Sequence, residues 1–224
     1  MKKSGLVAFA LMLCLLTPLS LAAPAEMPSV GSIITFGNYE QDNDLTNGKE
    51  PIEWIVLEVE GDQAFLISKL CLDVRQYYHR RVSMYWAKSP LRAWMNEDFL
   101  NAAFTAEEQA AILTTTVSNE DRHGRSGARV DTLDKIYLLS RSECLAYFPE
   151  QESRIAYATE YAKAQGCALS ETTGATRWWL RTPGMRVMDV FGIRFDGRVN
   201  QYGCQDVDWK TNTIRPVMWV RFGE

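Results

Sequence analysis

The chain has 224 residues, 46% of them hydrophobic, and carries a net charge of −4. That length and apolar content suit a single domain with a substantial core, and the acidic balance disfavours nucleic acid and anionic membrane surfaces as partners. Only two histidines, His79 and His123, are available for acid–base or metal chemistry.

At the start of the chain, Lys2 and Lys3 precede "GLVAFALMLCLL", an apolar run short for a bilayer span, and small residues follow in "LSLAAPAE". This is the pattern of a cleavable secretory signal. The expectation is a signal peptide over residues 1–25, cut after Ala22 or Ala25, and one domain over 26–224 that is secreted or periplasmic. Loss of Lys2 and Lys3 would take the charge from −4 to −6. "LMLC" lacks the small residue that a lipid-attachment box places before its cysteine, and no later apolar run suits a membrane span.

Strands come first in the mature chain. "GSIITFG" is β-branched and bounded by glycines, and "PIEWIVLEVEGDQAFLISKL" reads as a hairpin turned at Gly61-Asp62. The middle is helical. "KSPLRAWMNEDFL" starts with Ser89 as N-cap and Pro90 at the first helical position. Thr105 with Glu108, and Ser140 with Glu143, make two capping boxes. "DKIYLLS" predicts a short strand, and residues 153–165 a helix that stops at Gly166. Strands then return: "RWWLRT" leads to Pro183-Gly184, "VMDVFGIRF" meets "RVNQYG" across Asp196-Gly197, and "TIRPVMWVRF" closes the chain. The order predicts an α+β domain with an antiparallel sheet joining the N- and C-terminal strands around a helical middle.

The chain contains no G-x-S-x-G elbow, H-E-x-x-H, P-loop or dinucleotide fingerprint. His123, in "DRHGRSGAR", reads as a solvated loop residue. "DNDLTNGKEPIE" sets oxygens at Asp42, Asp44, Thr46, Glu50 and Glu53, a spacing near that of a calcium loop. An EF-hand needs glycine at its sixth position, where Asn47 stands, and flanking helices. The segment therefore reads as a plain polar loop, and neither a metal nor a cofactor is assigned.

Beyond Cys14, the cysteines are Cys71, Cys144, Cys167 and Cys204. An oxidising compartment allows them two disulfides, and Cys144 with Cys167, flanking the helical pair, is the candidate bridge. Cys71 reads equally well as a small buried hydrophobe.

Among seven tryptophans, Trp54, Trp94 and Trp219 read as core. Trp178 and Trp179 are neighbours on one strand and must face opposite ways. With Trp178 and Leu180 turned to the core, Trp179 and Arg181 share the other face, an aromatic plane beside a guanidinium. Trp179, Arg181 and Arg92 are the candidate ligand-binding residues; the alternative is that both faces of the strand are buried.

The segments "PIEWIVLEVEGDQAFLIS", "SPLRAWMNEDFLNAAFTAEEQAAI", "DKIYLLSRSE", "WWLRTPG" and "IRPVMW" together resemble a bacterial family catalogued only as a domain of unknown function. That family is commonly found in extracytoplasmic proteins of gut bacteria. The late "WW" strand, glycine hairpin and closing strand are also similar to the end of C-type-lectin-like domains, which include the formylglycine-generating enzymes. This second resemblance implies a fold whose termini pair in one sheet. The chain lacks the arginine-glycine-glycine-serine motif and the late copper-binding cysteine pair of the enzyme branch. The reading is a secreted binding module for a glycan, cell-wall or protein ligand. The alternatives are a hydrolase-like extracytoplasmic enzyme with an unrecognised site and a structural module of a surface assembly. If the signal is cut as expected, exported protein will begin at Ala23 or Glu26, which intact-mass measurement checks.

Overall fold

The computed structural model describes residues 27–120, 128–200, 203 and 205–223. The signal-peptide segment, Cys14, His123 and Cys204 lie outside the described residues. β1 (Ile33–Tyr39), β2 (Glu50–Glu60) and β3 (Gln63–Ser68) form a meander. The alternation in β2 buries Ile52, Trp54 and Val56 on one face. After β4 (Asp73–Val74), the helical middle begins with α1 (Pro90–Trp94), capped by the Ser89 hydroxyl, which accepts from the Arg92 N–H. The helix widens to π geometry over Met95–Phe99 and continues as α2 (Leu100–Ala103). In the wide turn, the Asn96 amide donates to the Arg92 and Ile136 carbonyls and accepts from the Lys135 and Ile136 N–H groups, fixing an extended segment to the helix.

Next come α3 (Ala106–Ala111), β5 (Thr115–Val117), β6 (Thr132–Asp134), α4 (Arg141–Tyr147) and α5 (Glu160–Ala164). Both capping boxes form, at Thr105 with Glu108 and at Ser140 with Glu143. The chain ends with β7 (Trp178–Pro183), β8 (Asp189–Ile193), β9 (Gln205–Asp206), β10 (Thr213–Ile214) and β11 (Val217–Arg221).

The last strand returns to the first sheet, whose order is β1-β2-β3-β11 and whose pairs are all antiparallel. N- and C-terminal strands thus share one sheet. The free side of β11 is closed by Leu113, which donates to the Trp219 carbonyl, and by Tyr137, which exchanges both backbone bonds with Val217. A second sheet has the order β4-β10-β7-β8-β9, and its β10–β7 pair is parallel. β5 and β6 form a small ribbon. The fold is therefore α+β and mostly antiparallel, with short helices between the strands of the two chain ends.

Two predicted elements differ. The helix expected over 153–165 shrinks to a 3-10 turn at Glu152–Arg154 and α5. The intervening backbone is extended because Ala156 accepts from Thr176 and Tyr157 accepts from Cys71. The "DKIYLLS" strand is displaced: β6 ends at Asp134, and Tyr137 forms one bridge to Val217. The Asp196-Gly197 turn is present, with Gly197 at φ 77° and its Cα against the Gln151 carbonyl, where a Cβ would sit at 1.9 Å. It closes a single bridge, Ile193 to Val199, rather than a long hairpin.

The expected Cys144–Cys167 bridge is corrected, since Cys71, Cys144 and Cys167 are all free. Cys144 is fully buried within α4, whereas Cys167 lies half-buried beyond α5, near Thr176 and Cys71. Burial pushes the Cys71 thiol up to about 11 and the Cys144 thiol up to about 12. Since the thiolate is the reactive form, neither residue should be alkylated in folded protein at mildly alkaline pH, and both should react after denaturation. Mass spectrometry after each treatment reads this directly.

Every residue of β7 is buried. Trp178 donates its indole N–H to the Arg154 carbonyl at 3.1 Å, and Trp179 donates to the Arg75 carbonyl at 2.7 Å. Both faces of the strand are therefore core. Trp178→Ala and Trp179→Ala should each cost about 3–5 kcal/mol, and thermal melts of the two variants should be depressed alike.

Candidate functional site

The residues chosen from sequence do not converge on an open surface, and the expected exposed face of Trp179 and Arg181 is corrected by their burial. Trp179 is 0% exposed and Arg181 2%. The physical reason lies in what covers that face. Tyr77 meets the Trp179 ring edge-on at 5.9 Å. The Arg181 guanidinium binds Glu143 through both terminal nitrogens and also donates to the Leu138 and Ser118 carbonyls. Because Glu143 also caps α4, this ion pair ties β7 to the start of that helix. Arg92 is committed elsewhere. Its Nε donates at 2.6 Å to Asp134, whose other oxygen takes the Trp86 indole N–H and the Thr132 hydroxyl.

An open groove of about 490 Å³ lies between the segment after β4, the start of α1 and the Lys210 turn. Arg75, Tyr78, His79, Trp94, Gln165 and Lys210 line it. Its floor is built by backbone satisfaction: Arg75 N–H donates to the Asn212 carbonyl, Tyr78 N–H to the Val207 carbonyl, and the Gln76 amide to the Asp208 carbonyl. Trp179 completes it from behind, since its bond to the Arg75 carbonyl holds the groove's cation in place.

The Arg75 guanidinium lies 4.4 Å over the Trp94 ring centroid, a cation–π contact. One terminal nitrogen reaches Asp73 at 3.4 Å, and the Tyr39 hydroxyl holds that carboxylate at 2.7 Å. Burial, with Asp73 beside it, holds the Tyr39 phenol well above its usual range, so it remains a donor. The other guanidinium N–H groups of Arg75 have no protein acceptor among the described residues, and Lys210 has no ion pair there. The Tyr78 and His79 rings lie 4.2 Å apart on the same wall. None of the lining residues is a carboxylate or a thiol. A smaller recess of about 80 Å³ lies against Arg177, Arg194 and Trp209. There Arg177 sits 4.3 Å over Phe195 and 5.3 Å over Trp209, and burial beside Arg194 lowers its proton affinity.

Sequence reasoning assigned Trp94 to the core, yet it is partly exposed on the groove wall, and it did not single out Arg75, Tyr78 or Lys210. A local signal was present in "DVRQYYHRR", where basic and aromatic residues crowd together just after a strand.

An α+β scaffold with a cationic, aromatic groove is thus the class of molecule in hand. Residues 61–222 match the family described as Domain of unknown function (DUF6273), and the chain belongs to that family. The match begins at the β2–β3 turn, so β1 and β2 lie before it. No curated protein and no solved structure matches the chain.

Arg181 reads from its contacts as a structural residue. Arg181→Met should destabilise the fold by about 3–5 kcal/mol, because Glu143 and two carbonyls would lose their shared donor. Denaturant unfolding of this variant against wild type measures the loss.

Proposed function

We propose that the chain is an extracytoplasmic binding module whose groove takes an anionic glycan or cell-wall fragment. The observation that carries this reading is the Arg75 guanidinium stacked on Trp94 beside Lys210, with donors left open in the groove. A planar fork of N–H groups suits a carboxylate or phosphate, and the partly exposed indole of Trp94 gives the groove an aromatic wall for a sugar ring. The described lining holds no carboxylate or thiol nucleophile and a single imidazole, His79, which supports binding over nucleophilic hydrolysis. A C-type-lectin-like architecture is part of the same proposal, supported by the sharing of one sheet by the two chain ends. The leader-like sequence before residue 26 supports export.

An array of acidic and neutral glycans and peptidoglycan fragments, probed with the mature protein, tests the proposal. Acidic members should bind, with affinity that falls as salt rises. Lys210→Ala, at an exposed position, should weaken binding without shifting the melting temperature. Trp94→Ala should weaken it at least about tenfold, which is 1.4 kcal/mol. Selective binding of neutral glycans, or undiminished binding by both variants, would place the ligand elsewhere.

A further inference from the structure

The acidic loop between β1 and β2 carries a feature that the groove does not explain. Tyr39 pairs with Glu50 as the last register position of β1 and β2, so Glu40 and Asp42 leave the sheet just beyond that pair, beside Glu50. One carboxylate oxygen from each of Glu40, Asp42 and Glu50 lies within 4.8 Å of the other two. Two oxygens on opposite sides of a Ca²⁺ ion, each about 2.4 Å from it, lie about 4.8 Å apart, so the three carboxylates are near enough for one ion to draw them together.

Three like charges at such separation repel, and the protein supplies little to offset them. None of the three makes an ion pair among the described residues. The loop's own cation, Lys49, is directed away to the Ala102 carbonyl. Glu50 accepts the Gln41 and Asp42 N–H groups, and Asp42 accepts from Asp44 and Asn47. Glu40 is different. It is only 8% exposed, its carboxylate belongs to the cluster, and its Oε1 is buried with no hydrogen-bond partner. A buried carboxylate oxygen without a donor is costly unless something positive meets it.

We propose that Glu40, Asp42 and Glu50 form a divalent-cation site of the Ca²⁺ type at the mouth of the β1–β2 loop. The ligands are hard oxygens, as Ca²⁺ prefers, and the loop's exposure leaves room for waters to complete six to eight contacts. The site is not an EF-hand: it uses Glu40, which lies before the calcium-like spacing of the sequence, and no helix flanks it. It also lies before the span that matches the family, so it is a property of this chain's own first hairpin.

The test uses the mature chain stripped with a chelator. Millimolar Ca²⁺ should raise the melting temperature by roughly 3–8 °C, with a smaller effect from Mg²⁺, which demands a tighter octahedron. Tb³⁺ should bind and luminesce on excitation of nearby tyrosine, and Ca²⁺ should displace it. Glu40→Gln should abolish the Ca²⁺-dependent shift while leaving metal-free protein as stable as wild type or more so, because it removes one repelling charge. Asp44→Asn, on the same loop but outside the cluster, should keep the shift. Absence of both a Ca²⁺ shift and Tb³⁺ binding in wild type would overturn the proposal. So would a Glu40→Gln variant that responds to Ca²⁺ as wild type does.

Discussion

The enclosure of β7 on both faces is the constraint from which most of the structure follows. A strand carrying two adjacent tryptophans, a leucine and an arginine can be buried only if each polar group on it finds a partner. Trp178 and Trp179 solve this by donating to backbone carbonyls of Arg154 and Arg75, which lie on opposite sides of the strand. Arg181 solves it with Glu143 and two carbonyls. These bonds draw the 75–78 segment, the 138–139 segment and α4 onto the strand, and they fix where each must lie.

The groove is a consequence of that enclosure. Once Arg75 is anchored through its carbonyl to Trp179, its side chain is free to turn outward over Trp94. α1 brings Trp94 to the spot because Ser89 and Pro90 set where the helix begins and the Asn96 amide pins the following wide turn. A rigid backbone thus presents an exposed cation, which is how a binding surface keeps its geometry without a stable core of its own.

Buried cations recur through the molecule, with carbonyls and rings as their usual partners. Arg154 donates to the Gly197, Phe148 and Pro149 carbonyls, holding the turn at Asp196-Gly197. Arg215 donates to the Ser68 carbonyl and lies 5.2 Å over Trp178 and 5.4 Å over Phe148. Burial lowers its proton affinity, and the two neighbouring thiols, themselves pushed up by burial, do not neutralise it. Arginine suits such sites because its guanidinium is weakly hydrated and stacks on rings.

Local features of this fold were legible in the sequence. Ser89-Pro90, Thr105 with Glu108, Ser140 with Glu143, and the turns at Gly61 and Gly197 all appear where a few adjacent residues place them. Each satisfies a backbone group or a positive φ within its own short segment, so distant chain has little say in it. Strand alternation likewise sent Trp178 and Trp179 to opposite faces. It could not say that Tyr77, Glu143 and Ser118 would cover the second face, because coverage depends on segments tens of residues away. The same limit hid the groove: Arg75, Trp94 and Lys210 meet through backbone bonds to Trp179, Asn212 and Ile136, pairings that no local pattern encodes. Sequence therefore set caps, turns and strand faces, where short-range sterics and hydrogen bonding dominate. Long-range packing alone settled which faces meet water, since burial is a property of what lies opposite.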